Sequence, residues 1–304
     1  MTDQEARDGD RPGMTENPDP FTEHRPLLFS IAYEITGSVA DTEDVLQDGY
    51  LRWRDVDRDS VTHPRAYLVQ IVTRQALSLL RSSSRRRETY VGTWLPEPLI
   101  TADDQPDGLD HVLTGEAVTT AMLLVLETLT PAQRATFVLR EVFDFSYPEI
   151  AAALGRSEEA VRQLNSRARQ HVHARRGTAI ATPSEASEVA RRFSAAAATG
   201  DVQALLDVLA PDVVYLSDGG GEVTAVRNPV RGREDVAHLI AGLLTRGRKK
   251  GELDFRIGVH NGMHSMLVLV DGELEQVTSI EVGDDQVRAV YTVRNPHKLT
   301  SIKF

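Results

Sequence analysis

The apolar residues of this chain change their period late in the sequence, and that change constrains the fold more than any other feature. From Pro26 to about Arg87 they recur at helical spacing, as Leu28, Ile31, Ala32 and Ile35, then Val45 and Leu46, then Tyr67, Leu68, Ile71, Val72, Leu79 and Leu80. Gly37 followed by Ser38, with Asp41 three residues on, predicts the end of one helix and the capped start of the next, so three helices fit this stretch. Helical spacing resumes near Glu116 and runs to about Arg176, with Thr130-Pro131-Ala132-Gln133 as a capping box. A second box, Thr182-Pro183-Ser184-Glu185, opens a helix over 183–199, and Gly200-Asp201 opens another over 201–209. Beyond it the apolar residues alternate: Val213–Ser217, Phe255/Ile257/Val259, Met263–Val270, Leu274–Val282 and Val287–Val293. Asn261-Gly262 and Asp271-Gly272 are hairpin-turn signals, so the last four strands should form an antiparallel meander. The expected architecture is multidomain: two all-α domains, then an α+β domain.

Composition narrows the function classes. The chain has 304 residues with 41% hydrophobic and 26% charged content, which excludes a wholly disordered or fibrous protein. A net charge of −11 argues against a surface that coats nucleic acid, although a local basic site is compatible with it. With no cysteine, disulfides, thiolate metal sites and cysteine nucleophiles are excluded. Neither a membrane helix nor a signal pattern is legible, and the expectation is a cytoplasmic protein. Residues 1–22 read as a mobile acidic tail, with Met14 as a second candidate start. A proline-containing acidic linker is expected over 94–115 and a short one over 177–183. They separate units at 23–93, 116–176 and 184–304.

Residues 146–172 read SYPEIAAALGRSEEAVRQLNSRARQHV. Tyr147-Pro148 opens a short helix that can turn inward Ile150, Ala151 and Leu154; Gly155 permits a sharp turn, and Ser157 caps a second helix. On that helix Val161, Leu164, Ala168 and Val172 share one face, while Arg162, Gln163, Ser166, Arg167 and Gln170 project from the other. Arg and Gln can make paired hydrogen bonds to base edges, and further arginines neutralise phosphates. Between Ser146 and Arg176 the arginines 156, 162, 167, 169, 175 and 176 outnumber Glu149, Glu158 and Glu159, an inversion of the chain's overall acidity. The pattern also fits a plain αα-hairpin with a solvated charged face.

A second basic run, Arg81-Ser82-Ser83-Ser84-Arg85-Arg86-Arg87, follows the Tyr67–Leu80 helix, with Trp53, Tyr67 and Tyr90 close in sequence. Arginines beside flat rings suit an unstacked single strand; a solvated run at a helix end suits the macrodipole equally. Upstream, Asp41, Glu43, Asp44, Gln47 and Asp48 form an acidic face, the type that docks on a basic protein surface.

In this order the stretches resemble an extracytoplasmic-function sigma factor of the sigma-70 family, over about 23–176. DTEDVLQDGYLRW is similar to the region-two helix that docks on RNA polymerase core, and HPRAYLVQIVTRQALSLLRSSSRRR to the part that melts and reads the minus-ten element. Many relatives carry an acidic residue where this chain has Ser78. The 130–172 stretch resembles region four, which reads the minus-thirty-five element. Through that resemblance Arg156, Ser157, Arg162, Gln163, Ser166, Arg167 and Arg169, with Arg81, Arg85, Arg86 and Arg87, are expected to meet promoter DNA, and the acidic face to meet the polymerase.

The rest of the chain resembles the subgroup with a SnoaL-like C-terminal extension, a cone of helices around a curved antiparallel sheet. Trp94-Leu95-Pro96-Glu97-Pro98-Leu99 matches its linker motif and Asp218-Gly219-Gly220-Gly221-Glu222 its loop motif. Asn295-Pro296-His297-Lys298 matches its tail, with His297 where relatives have Asp. The resemblance implies regulation in cis through these residues. SnoaL-like relatives include enzymes that need an acid or base in an apolar cavity, and Asp218, Glu222, His238, His260 and His264 are the titratable candidates here. None has a compelling spacing, so the domain is expected to make contacts rather than catalyse, with no metal and no cofactor. A small-molecule ligand stays open. The rival readings are a SnoaL-like enzyme or sensor fused to a helix-turn-helix repressor, and a scaffold that binds protein only.

Overall fold

The computed structural model describes residues 19–88, 90–100, 119–175 and 183–302, without the side chains of 83–88, 175 and 183–185. The sequence expectations for residues 1–18, 101–118 and 176–182, including most of the acidic linker and the Thr182 cap, lie outside these residues.

Three helices come first: α1 (Pro20–Thr36), α2 (Val39–Arg54) and α3 (Pro64–Glu88). The α1 helix starts inside the expected tail. Asp19 accepts from the Phe21 amide, Pro20 takes the first helical position, and the Trp53 indole donates to Asp19 at 2.8 Å. Gly37 is left-handed (φ 71°) and Ser38 accepts from the Asp41 amide, the expected break between α1 and α2.

The second helical group contains α4 (Thr120–Leu126), α5 (Pro131–Phe137), a π-turn (Val138–Val142), α6 (Tyr147–Leu154) and α7 (Glu158–Arg175). Capping boxes at Thr130 and Ser146 open α5 and α6, and Gly155 (φ 62°) turns the chain into α7. The two helical groups are not spaced apart: a single apolar cluster runs from Leu28 and Leu68 in the first to Leu139 and Ile150 in the second. Arg134 crosses this seam with a side chain only 2% exposed. It donates to the Glu34 carbonyl at 3.2 Å and pairs with Glu127, and burial lowers its pKa to about 10.

The C-terminal domain begins with α8 (Pro183–Thr199) and α9 (Val202–Val208), followed by β1 (Leu209–Asp218), β2 (Val230–Arg231), α10 (Arg233–Arg248) and β3 (Leu253–His260). It ends with β4 (Met263–Val270), β5 (Glu273–Gly283) and β6 (Gln286–Val293). The six strands lie in the order β2-β1-β6-β5-β4-β3, and β3 to β6 form the expected meander. The expectation of a wholly antiparallel sheet is corrected at one seam, because β1 pairs parallel to β6. That is the geometry left when α10 and the meander separate the two strands in sequence. The α10 helix has no counterpart in the sequence reading. Its apolar face, Val236, Ala237, Ile240 and Leu244, is interrupted by Gly242 and Gly247 and ends in a basic run, which weakens the periodic signal.

Helices α8 to α10 cover one face of the sheet around Phe193, Tyr215 and Val290. The other face carries Met263, Leu267, Val277 and Tyr291 and is covered by Leu95, by Ala121 and Leu124 of α4, and by Leu299 and Ile302. The sheet is therefore the wall against which both the linker and the second helical group rest.

Candidate functional site

The first residues of the expected linker, Trp94–Leu99, are packed against the rest of the chain where it leaves the first helical group. Leu95 is fully buried, and Pro96, Glu97 and Pro98 are buried with it. At its centre lies Asp218, the last residue of β1, 0% exposed. One carboxylate oxygen accepts from the Tyr90 hydroxyl (2.6 Å) and the Gly220 amide (3.0 Å). The other accepts from the Leu95 amide (2.8 Å) and from Lys298 Nζ (2.8 Å). The Lys298 ammonium also donates to the Leu95 carbonyl and lies 4.2 Å from the Trp94 ring centroid, a cation–π geometry. A charge buried this deeply survives only with such a complement of donors. Burial first, then its bond to the Asp218 carboxylate, raises the pKa of the Tyr90 phenol.

The glycines of 218–222 are needed for close approach. Gly220 has φ 63°, and a Cβ there would occupy the space of the Asn295 amide. Asn295 in turn donates to the Tyr90 hydroxyl at 2.9 Å, and its backbone amide donates to the Asp218 carbonyl at 3.0 Å. The structure thus brings together Trp94, Leu95, Asp218, Gly220, Asn295 and Lys298. It places Glu222, Pro296 and His297 at the surface, so His297 stands outside the polar cluster despite its position in the tail motif. A Cβ at Gly219 would run into Val223 and Ala225, and one at Gly221 would crowd Val91.

A second junction forms around Asn261, which the sequence reading placed only as a hairpin residue. The Tyr33 hydroxyl of α1 donates to the Glu97 carbonyl and sits 3.2 Å from Asn261 Oδ1, which accepts from the Leu99 amide at 3.1 Å. Asn261 Nδ2 donates to the Glu97 carbonyl (3.0 Å) and to Thr120 Oγ1 (3.4 Å). One side chain thereby touches both helical groups and the linker. Glu97 accepts from Ser38 Oγ at 2.8 Å, and burial raises its pKa against that hydrogen bond. Ile100 bridges to His260, whose pKa burial lowers to about 4.

On the helix-turn-helix, α6 buries Ile150 and Ala151, and α7 buries Val161, Ala168 and Val172. Arg156, Ser157, Arg162, Gln163, Ser166, Arg167 and Arg169 are all exposed, and Ser157 accepts from the Ala160 amide. Arg162 pairs with Glu158 (3.1 Å) and lies over the Tyr147 ring. Asn165, between those residues, is buried and donates to Glu141 at 2.7 Å, which orients the helix and leaves no base contact for it. In the first group Arg81 and Ser78 are exposed; Arg85, Arg86 and Arg87 fall on α3, where the side chains are outside the described residues. On α2 Glu43, Asp44, Gln47 and Asp48 are exposed, and Asp41 is half-buried at the first turn.

The face of α3 that looks toward the second group is already engaged. Gln70 donates to the Ala152 carbonyl at 2.7 Å, and Arg74 donates to the carbonyls of Ala152 (2.9 Å) and Ala153 (3.0 Å). These carbonyls close α6, at the negative end of its dipole. Arg65 lies 5.0 Å from the Phe145 ring centroid.

The C-terminal domain encloses a cavity of about 610 Å³ between the sheet and α8–α10, walled by Phe193, Leu239, Phe255, Met266 and Val268. None of Asp218, Glu222, His238, His260 and His264 lines it. Glu275 does, but although burial raises its pKa, Lys250 and Arg294 outweigh this and hold it below the usual carboxylate range, so it is no base near neutrality. Among the described residues no three potential metal ligands converge. No helix among them is long and apolar enough to cross a membrane.

Comparison with known proteins bears on this arrangement. The family description Sigma-70 region 2 matches residues 21–86, which hold all but the outer ends of α1–α3, and Sigma-70 region 4 matches 119–172, which hold α4 to most of α7. The chain is 39% identical over 298 residues to the ECF RNA polymerase sigma factor SigJ of Mycobacterium tuberculosis, covering 92% of each chain. It is 31% identical over 209 residues to the probable ECF sigma factor SigI of the same species, covering 68% of this chain and 69% of the other. The crystal structure of SigJ matches with a TM-score of 0.74 at 37% identity, over 92% of this chain and 97% of that one, so the likeness includes the α+β domain. Two sigma regions in this order, followed by a third domain that a relative shares along almost its whole length, leave one assignment: the chain belongs to the extracytoplasmic-function RNA polymerase sigma factors.

Proposed function

We propose that this sigma factor, which directs RNA polymerase core to specific promoters, is held closed by its own SnoaL-like domain. The carrying observation is the convergence of the WLPEPL, DGGGE and NPHK segments on the buried Asp218–Lys298 pair. Promoter reading needs the two DNA-binding regions at a set separation, and a linker pinned at Leu95 and Glu97 fixes that separation from within the chain. In the closed arrangement Gln70 and Arg74 of α3 are spent on α6, so the helix that resembles the minus-ten reader meets region four instead of DNA. Release of the linker frees both.

In the open form α7 enters the major groove at the minus-thirty-five element. Arg162, Gln163, Ser166 and Arg167 face base edges there, and Arg156, Ser157 and Arg169 face phosphates. Arg81, Arg85, Arg86 and Arg87 meet the melted strand, and Asp41, Glu43, Asp44, Gln47 and Asp48 meet the polymerase. The protein works in the cytoplasm and carries out no chemistry of its own. That none of the titratable candidates Asp218, Glu222, His238, His260 and His264 lines the cavity favours that reading over a fused enzyme.

Run-off transcription with core polymerase tests the proposal. A chain ending at residue 182 should initiate more strongly than the full chain from the same promoter. Equal output from both would make the third domain a passenger, and binding of promoter duplex without polymerase would favour the repressor reading.

A further inference from the structure

We infer that the cavity of the C-terminal domain is a binding site for a small apolar carboxylate, and that its occupation loosens the clamp. The inference rests on the clamp reading above.

The site's chemistry is one of an apolar barrel with a cationic mouth. Its walls are mostly aromatic and aliphatic; its lining holds three cations, Arg246, Lys250 and Arg294, and one carboxylate, Glu275, which Lys250 and Arg294 flank. Glu275 is shared between Lys250 (2.6 Å) and Arg294 (2.5 Å), which leaves excess positive charge beside a low-dielectric space. The Arg294 side chain is only 11% exposed, and its Nε is buried with no hydrogen-bond partner. An unmet guanidinium donor at the mouth of an apolar cavity is complementary to a carboxylate on an apolar body.

The cavity wall and the clamp are the same two stretches of chain. Val223–Val226 line the cavity and continue directly from the 218–222 loop; Val290, Thr292 and Arg294 line it and continue into Asn295 and Lys298. Arg294 ties the two together. Its Nη1 donates to the Thr224 carbonyl, and its backbone amide donates to the Asp218 carbonyl at 2.7 Å. A carboxylate that draws this guanidinium away from Thr224 separates the loop from the tail. Gly220 then no longer cradles Asn295, and the Lys298 ammonium is displaced from Asp218. The ligand shifts the equilibrium by binding the loosened arrangement more tightly than the closed one.

Decanoate serves as the probe, with 1-decanol as its neutral counterpart of equal chain length. Titration calorimetry on the unaltered full-length chain is expected to show one decanoate per chain and at least tenfold weaker binding of decanol. Arg294→Gln should bring decanoate down to the affinity of decanol. For the coupling, Trp53→Phe leaves Trp94 as the sole tryptophan of the two in the chain. Saturating decanoate should then shift Trp94 emission to the red as the ring parts from Lys298. Equal affinities for the acid and the alcohol, or no binding of either, would overturn the site. Saturation without any change at Trp94 would overturn the coupling. The clamp reading fails by a different result, an unchanged Trp94 signal in Lys298→Met without decanoate.

Discussion

Replacing Lys298 by Met removes the cation from a pair in which Asp218 is 0% and Lys298 8% exposed, while keeping the length of the side chain. Breaking one half of a buried ion pair costs about 3–5 kcal/mol because the remaining charge is left uncompensated. Here the Asp218 carboxylate keeps the Tyr90 hydroxyl and the amides of Leu95 and Gly220, so the lower end applies to the pair itself. Loss of the ammonium from the Trp94 face adds about 1 kcal/mol. A total of about 4 kcal/mol shifts the closed-to-open equilibrium by roughly three orders of magnitude, at 1.4 kcal/mol per factor of ten. The Leu95 amide reports this directly, since in the closed form it is buried and bonded to Asp218. Its hydrogen exchange in Lys298→Met should accelerate by about 100-fold or more, while the Ala76 amide in the middle of α3 stays protected. In the double variant Asp218→Asn/Lys298→Met no charge is stranded, so its cost should fall short of the summed single costs by at least about 1 kcal/mol. Unchanged Leu95 exchange in the single variant, or strict additivity in the double, would refute the reasoning.

Other expectations follow from the same geometry. Gly220→Ala forces an L-residue into a left-handed conformation, at about 1–2 kcal/mol, and drives its Cβ into Asn295, so it should raise Leu95 exchange without touching any charge. Arg162→Ala and Arg167→Ala should each weaken promoter recognition by about 1–3 kcal/mol where a bidentate base contact is lost, measured with polymerase holoenzyme; unaltered promoter choice in both would remove α7 from the base edges. His260 supplies a pH dependence. Burial places its folded pKa at about 4, below the ordinary 6.5, so between these values the unfolded chain binds a proton that the folded chain does not. Stability from this residue is full above 6.5 and falls by about 3 kcal/mol as pH drops toward 4, and thermal melts should show His260→Gln losing that slope.

Most of the fold was legible because its signals are local. The Gly37–Ser38 break, the Thr130 cap, the Gly155 turn and the hairpin turns at Asn261 and Asp271 are each written within a few residues, and the structure has them where the sequence places them. The α10 helix escaped notice because two glycines and a basic end dilute its apolar stripe, and the parallel β1–β6 pair because strand order is a property of the whole sheet. The site divides in the same way. Trp94–Leu99, Asp218–Glu222 and Asn295–Lys298 were visible as motifs through family resemblance, but nothing local says that Lys298 and Leu95 meet on one carboxylate. The junction between Asn261 and Tyr33 is not legible in the same way: a turn asparagine and a core tyrosine carry no mark of the linker that runs between them. Nor could the engagement of Gln70 and Arg74 by α6 be read from α3, where both look like solvated polar residues.

The central claim is that the third domain keeps the two promoter-reading groups together through the linker, and a distance measurement tests it most directly. The chain has no cysteine, so one introduced at Ser78 on α3 and one at Gln163 on α7 can carry spin labels without background. Double electron–electron resonance on the full chain should give one short, narrow distribution, and Lys298→Met or removal of residues 183–304 should give a long, broad one. The same narrow distribution in all three proteins would contradict the account.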